Sequence, residues 1–277
     1  MVIGQKTKIF ILAIKKFNSN IVLSTKNLNI GYRNKKVEAL IASNINIEIG
    51  EGELVAVIGV NGVGKSTLLR SLSGVQEILN GEISIDGFPL KKLSPQQLAE
   101  QISLVLTEQP ISKNLSVFEL IALGRQPYTN WIGTLSSNDI NHIRNAINLV
   151  DIEAIQYKKC YELSDGQLQK ALIARALAQD TPLVILDEPT THLDIYHQAY
   201  VLKLLKTLTL QTKKSILFAT HEINLALQLC DRIILMEKNK VSIGSPSELI
   251  ENDVFLNLFP SDLIVFDKSS NSFKIKT

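Results

Sequence analysis

The chain has 277 residues, 45% of them hydrophobic and 20% charged, which suits one large α/β domain with a substantial core and room for a subdomain. Its net charge of +2 comes without a long basic run, so composition gives no support to a nucleic-acid partner. No apolar run approaches the ~20 residues that a bilayer crossing needs, which assigns any membrane span to another chain. Cys160 and Cys230 lie far apart and form no ligand cluster; they read as reduced packing residues of a cytosolic protein.

In chain order, residues 1–20 include IFILAI between lysines. The apolar stretch is short and no small-residue cleavage site follows, so a short N-terminal extension is expected rather than a signal peptide. From Ile21 to Leu54, alternating segments with turn residues between them predict an antiparallel β layer. Tyr32, in the first loop of that layer, could stack on a base or sit half-buried. Leu54 to Arg70 then reads as an apolar strand, a glycine-rich turn and a helix. Gly59, Gly64, Lys65 and Ser66 fit the phosphate-loop pattern G-x-x-x-x-G-K-[ST]. Gly59, Gly62 and Gly64 can take positive φ, which lets backbone N–H groups close on a phosphate. The helix start points its dipole at the same anion. Lys65 adds a charge for the β- and γ-phosphates, and the Ser66 hydroxyl suits Mg²⁺.

GEISIDG reads as a further strand, Ser94-Pro95-Gln96-Gln97 as a capped helix start, and ISLVL as a strand ending in Thr107-Glu108-Gln109. Residues 110–160 change character: Ser116 to Glu119 opens a helix, and DINHIRNAINLVDI has helical apolar spacing. A mainly helical insertion into the α/β domain is expected there. Ser164 and Gln167 have capping-box spacing and form a second anion-binding helix start. PLVILDEP is a buried parallel-strand run closed by Asp187 and Glu188, and SILFAT ends at His221.

Three apolar strands therefore end in chemistry, and in open parallel sheets ligands bind beyond the carboxyl ends of the strands. One site follows. Asp187 would hold Mg²⁺ beside Ser66, Glu188 would polarise the water attacking a γ-phosphate, and His221 would contact that phosphate or orient the water.

The set resembles the ATP-binding subunit of an ABC transporter, over roughly Leu23 to Ile250. GVNGVGKST, which includes Asn61, Val63 and Thr67, resembles Walker A, and LVILDEP resembles Walker B. LSDGQ is similar to the LSGGQ signature, Thr191 to Asp194 to the D-loop, and Thr220 to Glu222 to the H-loop; Tyr32 matches the aromatic that stacks on adenine. The resemblance implies a P-loop NTPase fold, an ABC ATPase core (residues 21–250) with an antiparallel β layer and an inserted helical subdomain at about 110–175. Residues 251–277 would form a small C-terminal appendage with no catalytic part. It also implies a head-to-tail homodimer with two ATP and Mg²⁺ at its interface. Ser164 and Gly166 of one subunit would cap the γ-phosphate held by Lys65 of the other, with Asp194 beside the nucleotide.

Two positions depart from the family pattern. Asp165 stands where the signature has glycine, and near a γ-phosphate it must point away. Glu108 falls at the Q-loop position with Gln109 one residue later; either could reach Mg²⁺. SVFELIALGRQPYTNW and the stretch after Glu222 resemble importers of iron–siderophore, haem and cobalamin type. That implies a transmembrane permease dimer, docked around Leu115 to Trp131, an extracytoplasmic substrate-binding protein, and a peripheral location on the cytoplasmic face of the inner membrane. A soluble ABC ATPase of DNA repair or translation would carry a long coiled-coil insertion or two ATPase units, and neither is present. Another importer or an exporter would share every catalytic residue and differ in the helical insertion.

Overall fold

The computed structural model describes residues 20–34, 37–106, 112–238, 240–256, 258, 259 and 262–276. In chain order its strands are β1 (Ile21–Asn34), β2 (Val37–Ile45), β3 (Glu48–Gly50), β4 (Leu54–Ile58), β5 (Asn80–Ile85), β6 (Phe88–Pro89) and β7 (Ile102–Val105). They continue with β8 (Leu183–Asp187), β9 (Ser215–Ala219), β10 (Arg232–Glu237), β11 (Lys240–Gly244), β12 (Ile264–Asp267) and β13 (Ser272–Ile275). The helices are α1 (Lys65–Leu72), α2 (Pro95–Ala99), α3 (Val117–Ala122), α4 (Ser137–Leu149), α5 (Asp165–Ala178), α6 (Ile195–Thr212), α7 (Ile223–Leu229) and α8 (Pro246–Glu251).

The alternating N-terminal segments form an antiparallel sheet in the order β2-β1-β5-β6, with β3 also paired to β1. The apolar runs form a second sheet in the order β11-β10-β4-β9-β8-β7, parallel except at its β11 edge. Every residue of β4, β8 and β9 is buried, as expected of strands covered on both faces. Their period of two serves two cores. Leu54, Ala56 and Ile58 of β4 face the core under α5 and α6. Val55 and Val57 face the core shared with α1 and the antiparallel sheet. Each fully buried Leu, Ile or Val contributes about 1.5–3 kcal/mol of transfer free energy to this arrangement.

The helical stretch contains α3, α4 and 3₁₀ segments at Leu123–Tyr128, Glu153–Ile155 and Cys160–Glu162. Its centre is a buried ion pair. Arg125 Nε donates to Asp139 Oδ1 at 2.9 Å, and Nη1 donates to the Ala178 carbonyl at 2.7 Å, which ties the layer to the end of α5. The other Asp139 oxygen accepts from the Ser136 hydroxyl at 2.6 Å and backbone N–H at 2.9 Å, so both charges are compensated. Those bonds, the Ser136 hydroxyl first, hold the Asp139 carboxyl below the usual aspartate range.

Reciprocal serine capping boxes start α2, α3, α4, α5 and α8, at Ser94, Ser116, Ser136, Ser164 and Ser245. α1 and α7 start without a side-chain cap. Cys160 and Cys230 are buried and unpaired, and burial pushes both thiols up.

Candidate functional site

β4 runs into the glycine-rich turn, and α1 leaves it at Lys65. Two glycines there are fixed by their neighbours as much as by φ. A Cβ on Gly59 (φ 153°) would stand 2.4 Å from the Met236 carbonyl of β10. One on Gly64 (φ 110°) would stand 2.3 Å from Ile41 Cγ2 of β2. Gly64 takes the cap position in the left-handed region with no side-chain acceptor, so the first N–H groups of α1 stay open to an anion.

Lys65 is buried at 5% exposure and its ammonium donates to the Gly59 carbonyl at 3.1 Å. Burial pushes its pKa below the usual lysine range, opposed by the charges of Glu188 and then Asp187. The Ser66 hydroxyl donates to Asp187 Oδ1 at 3.0 Å, which joins the helix start to the end of β8. Burial raises the Asp187 pKa; the Ser66 bond works against it, and the Glu188 charge adds to it.

Glu188, directly after β8, sits at φ 52°, a left-handed conformation that costs a non-glycine residue about 1–2 kcal/mol. Thr191 holds it there. Its hydroxyl donates to Glu188 Oε2 at 3.1 Å, and its N–H donates to the Glu188 carbonyl at 3.2 Å. Glu188 Oε1 then lies 2.5 Å from His221 Nε2, and His221 Nδ1 lies 3.4 Å from Lys65 Nζ. A carboxylate on one side and an ammonium on the other suit an imidazole with its proton on Nε2.

Parallel neighbours β4, β9 and β8 thus bring Lys65, His221 and Glu188 into one cleft of about 510 Å³. Tyr32, Ile41, Asn61, Gly62, Gly64 and Thr67 are also on its wall. Tyr32 lies on β1, paired with Ala39 of β2, and not in the loop expected from the sequence; its hydroxyl is 3.0 Å from Thr67 Oγ1, although the residue itself is half exposed. Gly59, Val63 and Asp187 are not wall residues: Gly59 accepts from Lys65, Val63 packs against Gly59, and Asp187 acts through Ser66.

Ser164, Gly166 and Asp194 are not on that wall either. They form a second group, at the starts of α5 and α6. Asp194 caps α6 by accepting from the His197 N–H at 2.9 Å, with the His197 ring Nδ1 also 2.9 Å away. The same ring lies 3.1 Å from where a Cβ on Gly166 would be. Glu108 and Gln109 lie outside the described residues. Ile41, which gauges the loop at Gly64, and Thr191 as the clamp on Glu188 were missed as site residues in the sequence. Only the position of Thr191 three residues after Glu188 hinted at its contact.

Comparison with known proteins places the chain in a family. The family model described as ABC transporter matches residues 42–191, and a second model, an AAA domain of a Type IV TA system, matches residues 158–227. Petrobactin import ATP-binding protein FpuD of Bacillus anthracis is 34% identical over 238 residues, 86% of this chain and 86% of the relative. The chain belongs to the ABC transporter family. Iron(3+)-hydroxamate import ATP-binding protein FhuC of Bacillus subtilis (strain 168) is 33% identical to this ABC ATPase over 251 residues, 90% of this chain and 92% of the relative. Among solved structures, an inward-facing ABC transporter assigned to the metal-chelate type superposes with TM-score 0.74 at 28% identity. That match covers 92% of this chain and 96% of the other. A dimeric post-hydrolysis ATP-binding cassette bound to ADP and Pi superposes with TM-score 0.68 at 27% identity, covering 81% and 98%. The protein is an ATP-binding transport ATPase with the ABC fold. Among the described residues no helix is long and apolar enough to cross a membrane.

Proposed function

We propose that this ABC ATPase energises uptake of an iron chelate of siderophore type through a separate permease dimer at the cytoplasmic face of the membrane. The cargo reading rests on relatives named for petrobactin and iron-hydroxamate import; none of those reported names haem or cobalamin. The observation that carries the ATPase chemistry is the convergence of Lys65, Ser66–Asp187, Glu188 and His221 at the ends of three adjacent parallel strands.

In this reading ATP lies along the cleft with its base at Tyr32 and its β- and γ-phosphates at Lys65 and the open N–H groups of α1. The oxygen pair Ser66–Asp187 fits Mg²⁺, a hard cation that takes one or two protein oxygens and otherwise phosphate and water. Bound there, Mg²⁺ would neutralise charge developing on the phosphates. Glu188, clamped by Thr191 and backed by His221, orients the attacking water and takes its proton. His221, already facing Lys65, contacts the γ-phosphate. Glu108 or Gln109 would serve as a further oxygen ligand.

Two copies are needed in this scheme. Ser164 and Gly166 stand apart from the cleft of their own chain, with the His197 ring of α6 beside Gly166 and Ile195 and Tyr196 of the same helix exposed. They would close on the γ-phosphate of a partner, as a head-to-tail dimer allows, with Asp194 at the same seam. The permease would dock on the helical subdomain, residues 110–175, in a groove lined by Gln96, Gln126, Pro127 and Asn130, with Trp131 94% exposed at its mouth. A substrate-binding protein on the far side would deliver the cargo. The test is membrane co-purification and uptake. The chain is expected to sediment with membranes only when its permease is co-expressed, and to support uptake of ferric hydroxamates or petrobactin. Sedimentation independent of the permease, or ATP-dependent uptake of haem or cobalamin alone, would overturn the assignment.

A further inference from the structure

We propose that Asn224 is a positioning residue for His221, and that the C-terminal hairpin β12–β13 acts through it as a brace on the ATP site. The inference rests on the role proposed above for His221. α7 begins two residues after His221, with the Ile223 N–H bonded to the His221 carbonyl at 3.0 Å. It is 7 residues long and lacks a side-chain cap, so its pose depends on what it packs against. Ala226 and Leu227 bury one face. The other contact is the hairpin. Asn224 Oδ1 accepts from the Phe273 N–H at 2.9 Å, and Asn224 Nδ2 donates to the Phe273 carbonyl at 3.4 Å. The amide therefore pairs with β13 as a neighbouring strand would, which fixes the first turn of α7 in rotation and height.

The hairpin is itself held firmly enough to serve. A lone two-stranded ribbon is marginal in water. Here Phe266 and Phe273 (ring centroids 5.0 Å apart) pack with Phe255 and Phe259, at 5.2 Å for both Phe255–Phe266 and Phe259–Phe273. Phe255 is 1% exposed and belongs to the same core as Ala226. Lys268 pairs with Asp253, and the turn closes on Asp267 through Ser269, Ser270 and Lys274. His221 must keep one ring nitrogen at Glu188 and the other toward Lys65, and hydrogen bonds weaken steeply with small displacements. A brace on α7 is thus read out directly in that geometry.

The test is a double-mutant cycle in the purified full chain with Mg-ATP. Asn224→Ala is expected to lower kcat about threefold to tenfold, within the range seen for coupled neighbours, while KM for ATP and the melting temperature stay put. Asn224→Asp, which keeps the acceptor and loses the donor, should fall between wild type and Asn224→Ala. In a His221→Ala background, Asn224→Ala should lower the residual rate no further. No loss in the wild-type background, or an equal loss in both, would overturn the brace. A wild-type rate in His221→Ala alone would instead remove the role of His221, and the brace with it.

Discussion

Two helix starts in this chain carry the same backbone chemistry and are finished in opposite ways. α1 starts at Gly64, without a side-chain acceptor, at the end of a strand buried along its whole length. α5 starts at Ser164, where the serine and Gln167 satisfy each other's N–H groups in the open. The first start is unfinished inside its own chain and has a buried ammonium beside it. The second is closed by its own capping box and exposed. A helix N-terminus becomes an anion site by what is left off it, and of these two starts that of α1 is the bare one, with Lys65 beside it. α5 can add only the Ser164 hydroxyl and its first-turn N–H groups to a phosphate that something else already holds.

That contrast can be sharpened or broken by four measurements. The largest effect is expected for Glu188→Gln. Turnover should fall about 10²- to 10⁴-fold, while ATP binding persists and an ATP-dependent dimer accumulates on size-exclusion chromatography, which brings the two kinds of helix start together. Turnover near wild type would remove Glu188 as the base. Next comes Lys65→Ala, which strips the cation from the α1 start. Charge-assisted contacts worth about 3 kcal/mol correspond to roughly a hundredfold in affinity, read by titration with an ATP analogue. Undiminished binding would detach the nucleotide from α1.

Ser164→Ala should act on the other start alone. ATP affinity of the isolated chain is expected to hold, ATP-driven dimerisation to weaken about tenfold, and stability to fall by about 1 kcal/mol for the lost cap. A change in monomer affinity would contradict the separation of the two sites. The smallest effect separates the layers by pH. Asp139 titrates below its ordinary value, so its contribution is fully present above about pH 4 and fades as acid protonates it in the folded state. Hydrogen exchange should show the α3–α5 region loosening in acid before β4, β8 and β9 do. Simultaneous loss would show that Arg125–Asp139 does not govern the helical layer.

Much of this was legible in the sequence because the signals are local. LVAVI, LVILD and SILFA read as apolar strands and are strands buried along their whole length. The serine boxes at 94, 116 and 164 were visible as spacing and exist as hydrogen bonds. The remainder depends on contacts between distant segments. Nothing local puts Ile41 against Gly64, or tells that Glu188 adopts positive φ with Thr191 as its clamp. The C-terminal stretch was uninformative because Phe255, Phe259, Phe266 and Phe273, spaced four and seven residues apart as on a helix, meet instead through a hairpin that pairs Phe266 with Phe273.

The 3.0 Å contact between the Tyr32 hydroxyl and Thr67 has a consequence for selectivity. β1–β2 carries both Tyr32, proposed above to receive the base, and the Ile41 side chain against Gly64 of the phosphate turn, and this contact ties the ribbon to α1. In the pose proposed above, base and γ-phosphate would both be held from this one ribbon, and a diphosphate would leave the His221 end of the cleft without its contact.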